Sequence, residues 1–284
     1  MKQKTILITG ATAGIGRAAA FQLAATGAKL VCVARNESKA QELIRELKEA
    51  TGNPNLGYLL GDLSLPSQVR AVARSFRAEN ERLDVLFNNA GALFIDRQLT
   101  EDGLERTFSI NHLSYFVLSV LLTDILQKTP NSRVVSTASG AHGRSGLQYL
   151  EDLQTEDWGY GGMRAYSGSK LANIWFTRQF AENTGLQSHC FHPGFVASDF
   201  ARNNGFLGKL AMTLSRPFQR RVEAGADTGV WLATHEVPSN GGYWFDRKLR
   251  KGSRAARDSD APKRLWTASN EIVGKILGKD WISS

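Results

Sequence analysis

Seven short apolar runs alternate with seven segments of helical spacing, and this alternation constrains the fold of the chain more than any other feature. The runs are KTILITG (4–10), AKLVCVAR (28–35), LGYLLGDL (56–63), LDVLFNNAG (83–91), SRVVSTAS (132–139), LQSHCFHPG (186–194) and GGYWF (241–245). They are brief and rich in β-branched or aromatic side chains, as buried strands are. Helical spacing covers 15–26, 37–51, 66–82, 101–128, 164–184, 223–235 and 261–277. Such alternation implies parallel strands, right-handed crossovers and helices on both faces. The expected architecture is an α/β fold, a doubly wound parallel sheet of about seven strands. No repeat, low-complexity tract or linker divides the 284 residues, which are 42% apolar and can bury one large core, so a single domain over 1–284 is expected. Two regions break the alternation, 140–163 and 198–222. Ligands of open parallel sheets sit beyond the carboxyl ends of the strands, which makes these the candidate substrate lids.

A formal charge of +8 favours anionic partners, whether cofactor phosphates, acidic lipid headgroups or nucleic acid. The densest basic stretch, 247–264, has eight Arg or Lys against two Asp but no interleaved aromatic residues to stack on bases. It reads as a solvated tail segment, and no nucleic-acid partner is expected. Cys32 and Cys190 lie far apart in apolar runs with no metal-ligand spacing, so buried free thiols, no metal and a reducing compartment are expected. No apolar run approaches the ~18–20 residues that cross a bilayer, and MKQKTILITG runs straight into a strand without a cleavable signal pattern. The expectation is a soluble, cytoplasmic protein.

TGATAGIG (9–16) joins the first strand to the first helix, with glycines at 10, 14 and 16. Glycines there permit a tight turn, and free N–H groups at the helix start attract a pyrophosphate. A glycine trio alone also fits a purely structural turn, and its spacing differs from G-x-G-x-x-G. Its place at the first βα junction favours a Rossmann-type dinucleotide site contacted by Gly10, Thr12, Ala13, Gly14, Ile15 and Gly16. Where an NAD site carries an acidic residue, the second strand ends in Ala34 and Arg35. A guanidinium suits a 2′-phosphate, so NADP(H) is expected over NAD(H). Asp62, followed by Leu63, is placed either to accept from the adenine amino group or to cap the helix near Pro66. Asn89, Ala90 and Gly91, from NNAG, bring a further glycine toward the cofactor.

In order, TGATAGIG, the DL of 62–63, NNAG, Asn111, STAS, YSGSK and HPG resemble the short-chain dehydrogenase/reductase family from residue 5 to about 200. SGAH, YSGSKLANIWFTRQFA, FHPGFVASD, GGYWFDRK and KRLWTASNEIVG make the chain similar to the retinol dehydrogenase-like group over nearly its whole length. Many members of that group carry an N-terminal membrane-anchoring segment, whereas this chain begins a few residues before its first strand, which directs expectation away from a retinoid substrate.

Carbonyl reduction needs a hydride, which a nicotinamide supplies, and a proton, which the protein must supply. Tyr166 is the candidate acid, with an ordinary pKa of about 10. Lys170, at i+4, shares its helix face, and its charge would lower the tyrosine and reach the nicotinamide ribose. Spacing alone also fits a surface pair. The resemblance implies a tetrad in which Ser139 donates to the substrate oxygen and Asn111 holds a water linking the lysine to solvent. Ser136 and Thr137 are nearby alternatives to Ser139. After the sixth strand, Pro193, Gly194 and Val196 are expected to line the nicotinamide, with Ser198 donating to its amide or to the phosphates; both Tyr166 and Lys170 also contact the cofactor. His192 reads as structural, and His142 is placed to touch substrate.

Phe195, Phe200, Phe206, Leu207, Leu210, Met212, Leu214 and Phe218, interrupted by Arg202, Lys209 and Arg216, fit either an apolar lid with a basic rim or an amphipathic helix on the core. The first arrangement suits a lipophilic aldehyde or ketone. It also allows peripheral contact with a membrane surface; a homo-oligomer is compatible with either. Alternatives of another class are a non-catalytic NADP-binding sensor or scaffold, and a reductase of a different substrate class.

Overall fold

The computed structural model describes residues 1, 4–157, 159–196 and 220–282. One sheet runs in the order β3-β2-β1-β4-β5-β6-β7-β8. Its strands are β1 (Thr5–Thr9), β2 (Lys29–Ala34), β3 (Leu56–Leu60), β4 (Val85–Asn88), β5 (Arg133–Thr137), β6 (Gln187–Phe191), β7 (Gly242–Phe245) and β8 (Lys248–Arg250). All neighbours pair in parallel except β7 and β8. The order reverses between β1 and β4, which opens the ligand crevice of a doubly wound sheet at their carboxyl ends. Strands β1, β4 and β5 are buried along their whole length, which is why they read as continuous apolar runs.

Among the described residues the expected sheet of about seven strands has eight. Strand β8 returns from β7 through Asp246 and Arg247, both at positive φ, +51° and +56°. A two-residue turn of this kind matches the twist of a hairpin, but it usually advertises itself as Asn-Gly or Asp-Gly. With Arg at the second position and three exposed residues beyond it, the strand leaves no apolar signature.

Helices α1 (Gly14–Ala24), α2 (Glu37–Thr51) and α3 (Pro66–Glu79) follow the first three strands. Helix α2 buries Ala40, Leu43, Ile44 and Leu47, and α3 buries Val69, Val72, Ala73 and Phe76, both at i, i+3, i+4, i+7. The Asn36 side chain caps α2 by accepting from Lys39 N at 2.9 Å. The expected helix over 101–128 is instead four pieces: α4 (Arg106–Phe108), a π-helical turn (Ser109–Leu113), α5 (Ser114–Leu121) and α6 (Thr123–Lys128). The apolar periodicity runs through all four, so the breaks are invisible in it.

Helix α7 (Gly162–Thr184) is buried on most of its circumference, ending at Gly185 with φ +71°. Its outer side is covered by α9 (Ala261–Leu277), where Trp266 lies parallel to Phe176 and edge-on to Phe116. Helix α8 (Val222–Thr234) packs beside α1 on the opposite face. Fully burying Trp175, Phe176 and Phe180 contributes roughly 1.5–3 kcal/mol for each side chain, so α7 is a rigid mount. The basic stretch 247–264 is no solvated tail: Ala256 and Ala261 are buried, and Trp175 Nε1 donates to Ala255 O at 2.9 Å.

The lid expected at 140–163 contains two 3-10 turns, Gly140–Arg144 and Leu147–Leu150. The lid expected at 198–222 lies outside the described residues except for 220–222. Cys32 and Cys190 are buried free thiols, pushed up to about 12 by burial. Among the described residues, no helix is long and apolar enough to cross a membrane.

Candidate active site

A cavity of about 1090 Å³ lies at the carboxyl ends of the strands. Of the residues expected at the site, Gly10, Thr12, Ala13, Gly14, Ile15, Gly16, Arg35, Asp62, Leu63, Asn89, Ala90, Gly91, Ser139, Tyr166, Lys170, Pro193, Gly194 and Val196 all line it. Asn111 sits behind the wall, and Ser198 lies outside the described residues.

At one end, α1 starts without a side-chain cap on Ala13, leaving its first N–H groups for a ligand. The turn is possible because Gly10 takes φ +69° and because residue 16 has no side chain. A Cβ on Gly16 would lie 2.2 Å from Gly10 O and 2.3 Å from Asn89 Nδ2. Asn89 fastens this approach by donating to Thr9 O at 3.1 Å, while Thr9 Oγ1 accepts from Asn89 N and Ala90 N. An uncapped, glycine-built helix start with no acidic residue in its first turn fits the pyrophosphate of a dinucleotide.

At the end of β2, the Arg35 guanidinium is two-thirds exposed and 3.7 Å from Asp62. Burial pushes the Asp62 carboxyl up, but hydrogen bonds with Ser64 and the charges of Arg35 and Arg106 outweigh it and hold the group below its ordinary range. Asp62 Oδ1 accepts from Ser64 N at 2.9 Å, so it closes the turn before α3 while still facing the cavity. Arg106, stacked over Phe94, is a second cation at this end that sequence reasoning missed. Its only signal was its place five residues before Asn111.

The chemical end is built on β5 and α7. Ser139 follows β5, and its Oγ accepts from Ala141 N at 3.1 Å. The Ser139 side chain also hydrogen-bonds Tyr166. Of the alternatives, Ser136 is fully buried, and Thr137 turns its hydroxyl to Asn89 Oδ1 at 3.3 Å. Lys170 Nζ donates to Thr137 O at 2.9 Å and lies 5.7 Å from the Tyr166 ring centre.

The expected lowering of Tyr166 by Lys170 is not what this arrangement produces. Burial pushes Tyr166 up to about 12, opposed by the bond with Ser139, and burial pushes Lys170 down to about 7. The ammonium is turned to the Thr137 carbonyl, and desolvation of each group outweighs their mutual field.

Asn111 is the reason for the π-helical turn. Its side chain clamps the strand-end loop, accepting from Ala92 N at 2.7 Å and donating to Ala92 O and Ser169 Oγ, each at 2.9 Å. An extra residue in a helical turn aims such a side chain sideways, and such bulges concentrate at functional sites. Asn111 O accepts from Asn173 Nδ2 at 2.9 Å. Asn173 also reaches Thr137 O at 3.3 Å, the carbonyl that accepts from Lys170. Sequence reasoning missed it; its position at i+7 from Tyr166 and i+3 from Lys170 was the available signal.

His192 Nδ1 accepts from Gly194 N at 3.0 Å, and the ring stacks on Phe245 at 4.0 Å, holding the His-Pro-Gly turn. His142, expected to touch substrate, points away from the cavity: its Nδ1 is 2.7 Å from Ser139 O and its Nε2 accepts from Ser253 N at 3.1 Å. The cavity lining also includes the apolar Leu93, Phe94, Ile110, Met163 and Phe195, and Arg144.

The family model for short chain dehydrogenases matches residues 4–151. Retinol dehydrogenase 12 of Mus musculus is 36% identical over 276 residues, covering 95% of this chain and 86% of that protein. Dehydrogenase/reductase SDR family member 13 of Homo sapiens is 34% identical over 288 residues, covering 99% of this chain and 76% of that one. Among solved structures, an uncharacterized protein from Mycobacterium paratuberculosis superposes with a TM-score of 0.74 at 28% identity, covering 95% of this chain and 93% of the other. The glycine-built helix start, the strand order and the Ser139–Tyr166–Lys170 wall agree with these likenesses: the chain belongs to the short-chain dehydrogenase/reductase family, in its retinol dehydrogenase-like group, and is an oxidoreductase of carbonyl and alcohol groups.

Proposed function

We propose that this protein interconverts a lipophilic aldehyde or ketone and its alcohol with NADP(H), using Tyr166 as the acid and base. The observation that carries the reading is the hydrogen-bonded Ser139–Tyr166 pair on one cavity wall with the buried Lys170 behind it. NADP(H), when bound, supplies or takes up the hydride.

In reduction, the Tyr166 hydroxyl gives its proton to the carbonyl oxygen. A tyrosine held neutral by burial is already in the form this direction needs. Ser139 Oγ receives Ala141 N–H, so its own hydrogen is directed to the oxygen on which charge develops. In oxidation the same groups reverse, and Tyr166 must accept the alcohol proton. The ammonium form of Lys170 favours the phenolate this requires. Only one of its three donors goes to Thr137 O, leaving others for the nicotinamide ribose. Asn111, whose carbonyl is already oriented by Asn173, is the residue assigned to hold a water that connects Lys170 to solvent.

Arg35 supports the choice of NADP(H): it puts planar donors where an acidic residue would hold the ribose of NAD(H), and Arg106 adds charge nearby. The apolar side chains of Leu93, Phe195 and Met163, the last of which lies three residues before Tyr166 on its helix, line the cavity and support a lipophilic substrate. Two buried free thiols support action in the cytoplasm. The test is Tyr166→Phe, assayed with NADPH against aldehydes and ketones of graded size and polarity. The variant is expected to bind NADPH normally and lose about 10²- to 10⁴-fold in turnover. Undiminished reduction would sink the mechanism.

A further inference from the structure

The segment 250–258 touches the catalytic wall from behind at two places. On α7 it accepts from Trp175 Nε1 at Ala255 O, and from Arg178 Nη1 at Ala256 O (2.8 Å) and Asp258 O (2.7 Å). On the other side, Ser253 N donates to His142 Nε2 at 3.1 Å. His142 is 5% exposed, enclosed by the Tyr243 ring, which meets it edge to face with ring centres 4.9 Å apart, and by Gly252, where a Cβ would come within 3.6 Å of Nε2. With Nε2 accepting, the proton of a neutral imidazole is on Nδ1, where it is donated to Ser139 O at 2.7 Å. One tautomer satisfies both nitrogens, and burial lowers the ring's pKa, which keeps it in that form.

We propose that His142 is the positioning residue for Ser139: it fastens the serine's backbone to the 250–258 strap, and the strap fastens it to the helix that carries Tyr166. The distance between the oxyanion donor and the acid is then set by one continuous chain of hydrogen bonds, Ser139 O to His142 to Ser253 and through the strap to Trp175 and Arg178. His142 itself touches neither cavity nor substrate. The 3-10 turn Gly140–Arg144 is short and part-exposed, so its own bonds hold Ser139 weakly without the ring.

The proposal rests on the role given to Ser139, and the experiment separates the two. Turnover, NADPH affinity by fluorescence and thermal stability are measured for His142→Phe, His142→Gln, His142→Asn and Ser139→Ala. His142→Phe and His142→Gln, which lack the Nδ1 donor, are expected to lose about 10- to 100-fold in kcat, the effect of ångström-scale misplacement, with NADPH affinity unchanged. His142→Asn places an amide N–H where Nδ1–H was but leaves Ser253 N without its acceptor, so it is expected to recover only part of that loss, and full recovery would overturn the role of the strap. Wild-type kcat in His142→Gln, equal kcat in the Asn and Gln variants, or loss of NADPH affinity in step with kcat would overturn the positioning role. Should Ser139→Ala keep full turnover, the Ser139 reading itself falls, and the proposal with it. If His142→Phe fails to fold, the comparison of Asn with Gln decides.

Discussion

Gly16→Ala probes the nucleotide end where the structure leaves least room. The new Cβ would lie 2.2 Å from Gly10 O and 2.3 Å from Asn89 Nδ2, about 1 Å inside ordinary contact. Alanine has no rotamer with which to escape, and Gly10 O is backbone. Either the first turn of α1 retreats by about that ångström, or Asn89 gives up its bonds to Thr9 O and Gly10 O. Two such bonds contribute about 1 kcal/mol each, so the cost is roughly 2 kcal/mol. For 284 residues the unfolding entropy is about 0.6 kcal/mol per kelvin, which converts that cost into a fall in Tm of about 3 °C. The larger effect falls on binding, because the displaced N–H groups are those aimed at the pyrophosphate. NADPH affinity is expected to drop about 10- to 100-fold, or about 1.4–2.8 kcal/mol. Fluorescence titration of NADPH alongside thermal unfolding measures both. An affinity within about twofold of the parent would refute the reasoning, since the contact is too close for indifference.

Arg35→Asp should raise KM for NADPH far more than KM for NADH in steady-state assays; equal effects on both cofactors would contradict the 2′-phosphate assignment. Burial leaves Lys170 near 7, while phosphates and ribose hydroxyls favour its charged form, so NADPH binding at pH 8 should take up a proton. Calorimetry in two buffers of different ionisation enthalpy reads this, and uptake that persists in Lys170→Met would assign it elsewhere. Asp84, 2% exposed, accepts from Thr5 N, Arg82 and Lys4, so Asp84→Asn should cost about 2 kcal/mol, discounted for the solvent access of the two cations. Burial pushes the Asp84 carboxyl up, but its hydrogen bonds with Arg82, Thr5 and Lys4 outweigh that and hold it below the usual carboxylate range. Its contribution is therefore full above the unfolded value and is lost as pH falls through the lower folded one. Wild-type and variant stabilities should converge in acid unfolding, and a constant gap down to pH 2 would exclude the linkage.

What could be read from the sequence was set by local rules. Strands such as ILIT and VVST are buried on both sides, and only apolar, β-branched runs survive there, so the sheet is written in composition. Helices α2 and α3 bury single faces at i, i+3, i+4, i+7, which is equally local. The glycines at 10 and 16, Arg35, Ser139, Tyr166 and Lys170 were found because their order along the chain carries the site.

The features that tertiary structure alone decided depend on partners distant in sequence. The π-helical turn follows from Asn111 reaching Ala92, while the apolar pattern of 101–128 continues unbroken. Strand β8 exists because a hairpin turn lays three exposed residues along β7. The basic stretch after it becomes a strap because Trp175 and Arg178 bond its carbonyls. The protonation of Lys170 and Tyr166 is likewise a property of burial: four-residue spacing puts them on one helix face, but only the packing of α7 against β5 removes the water that would have kept both near their ordinary values.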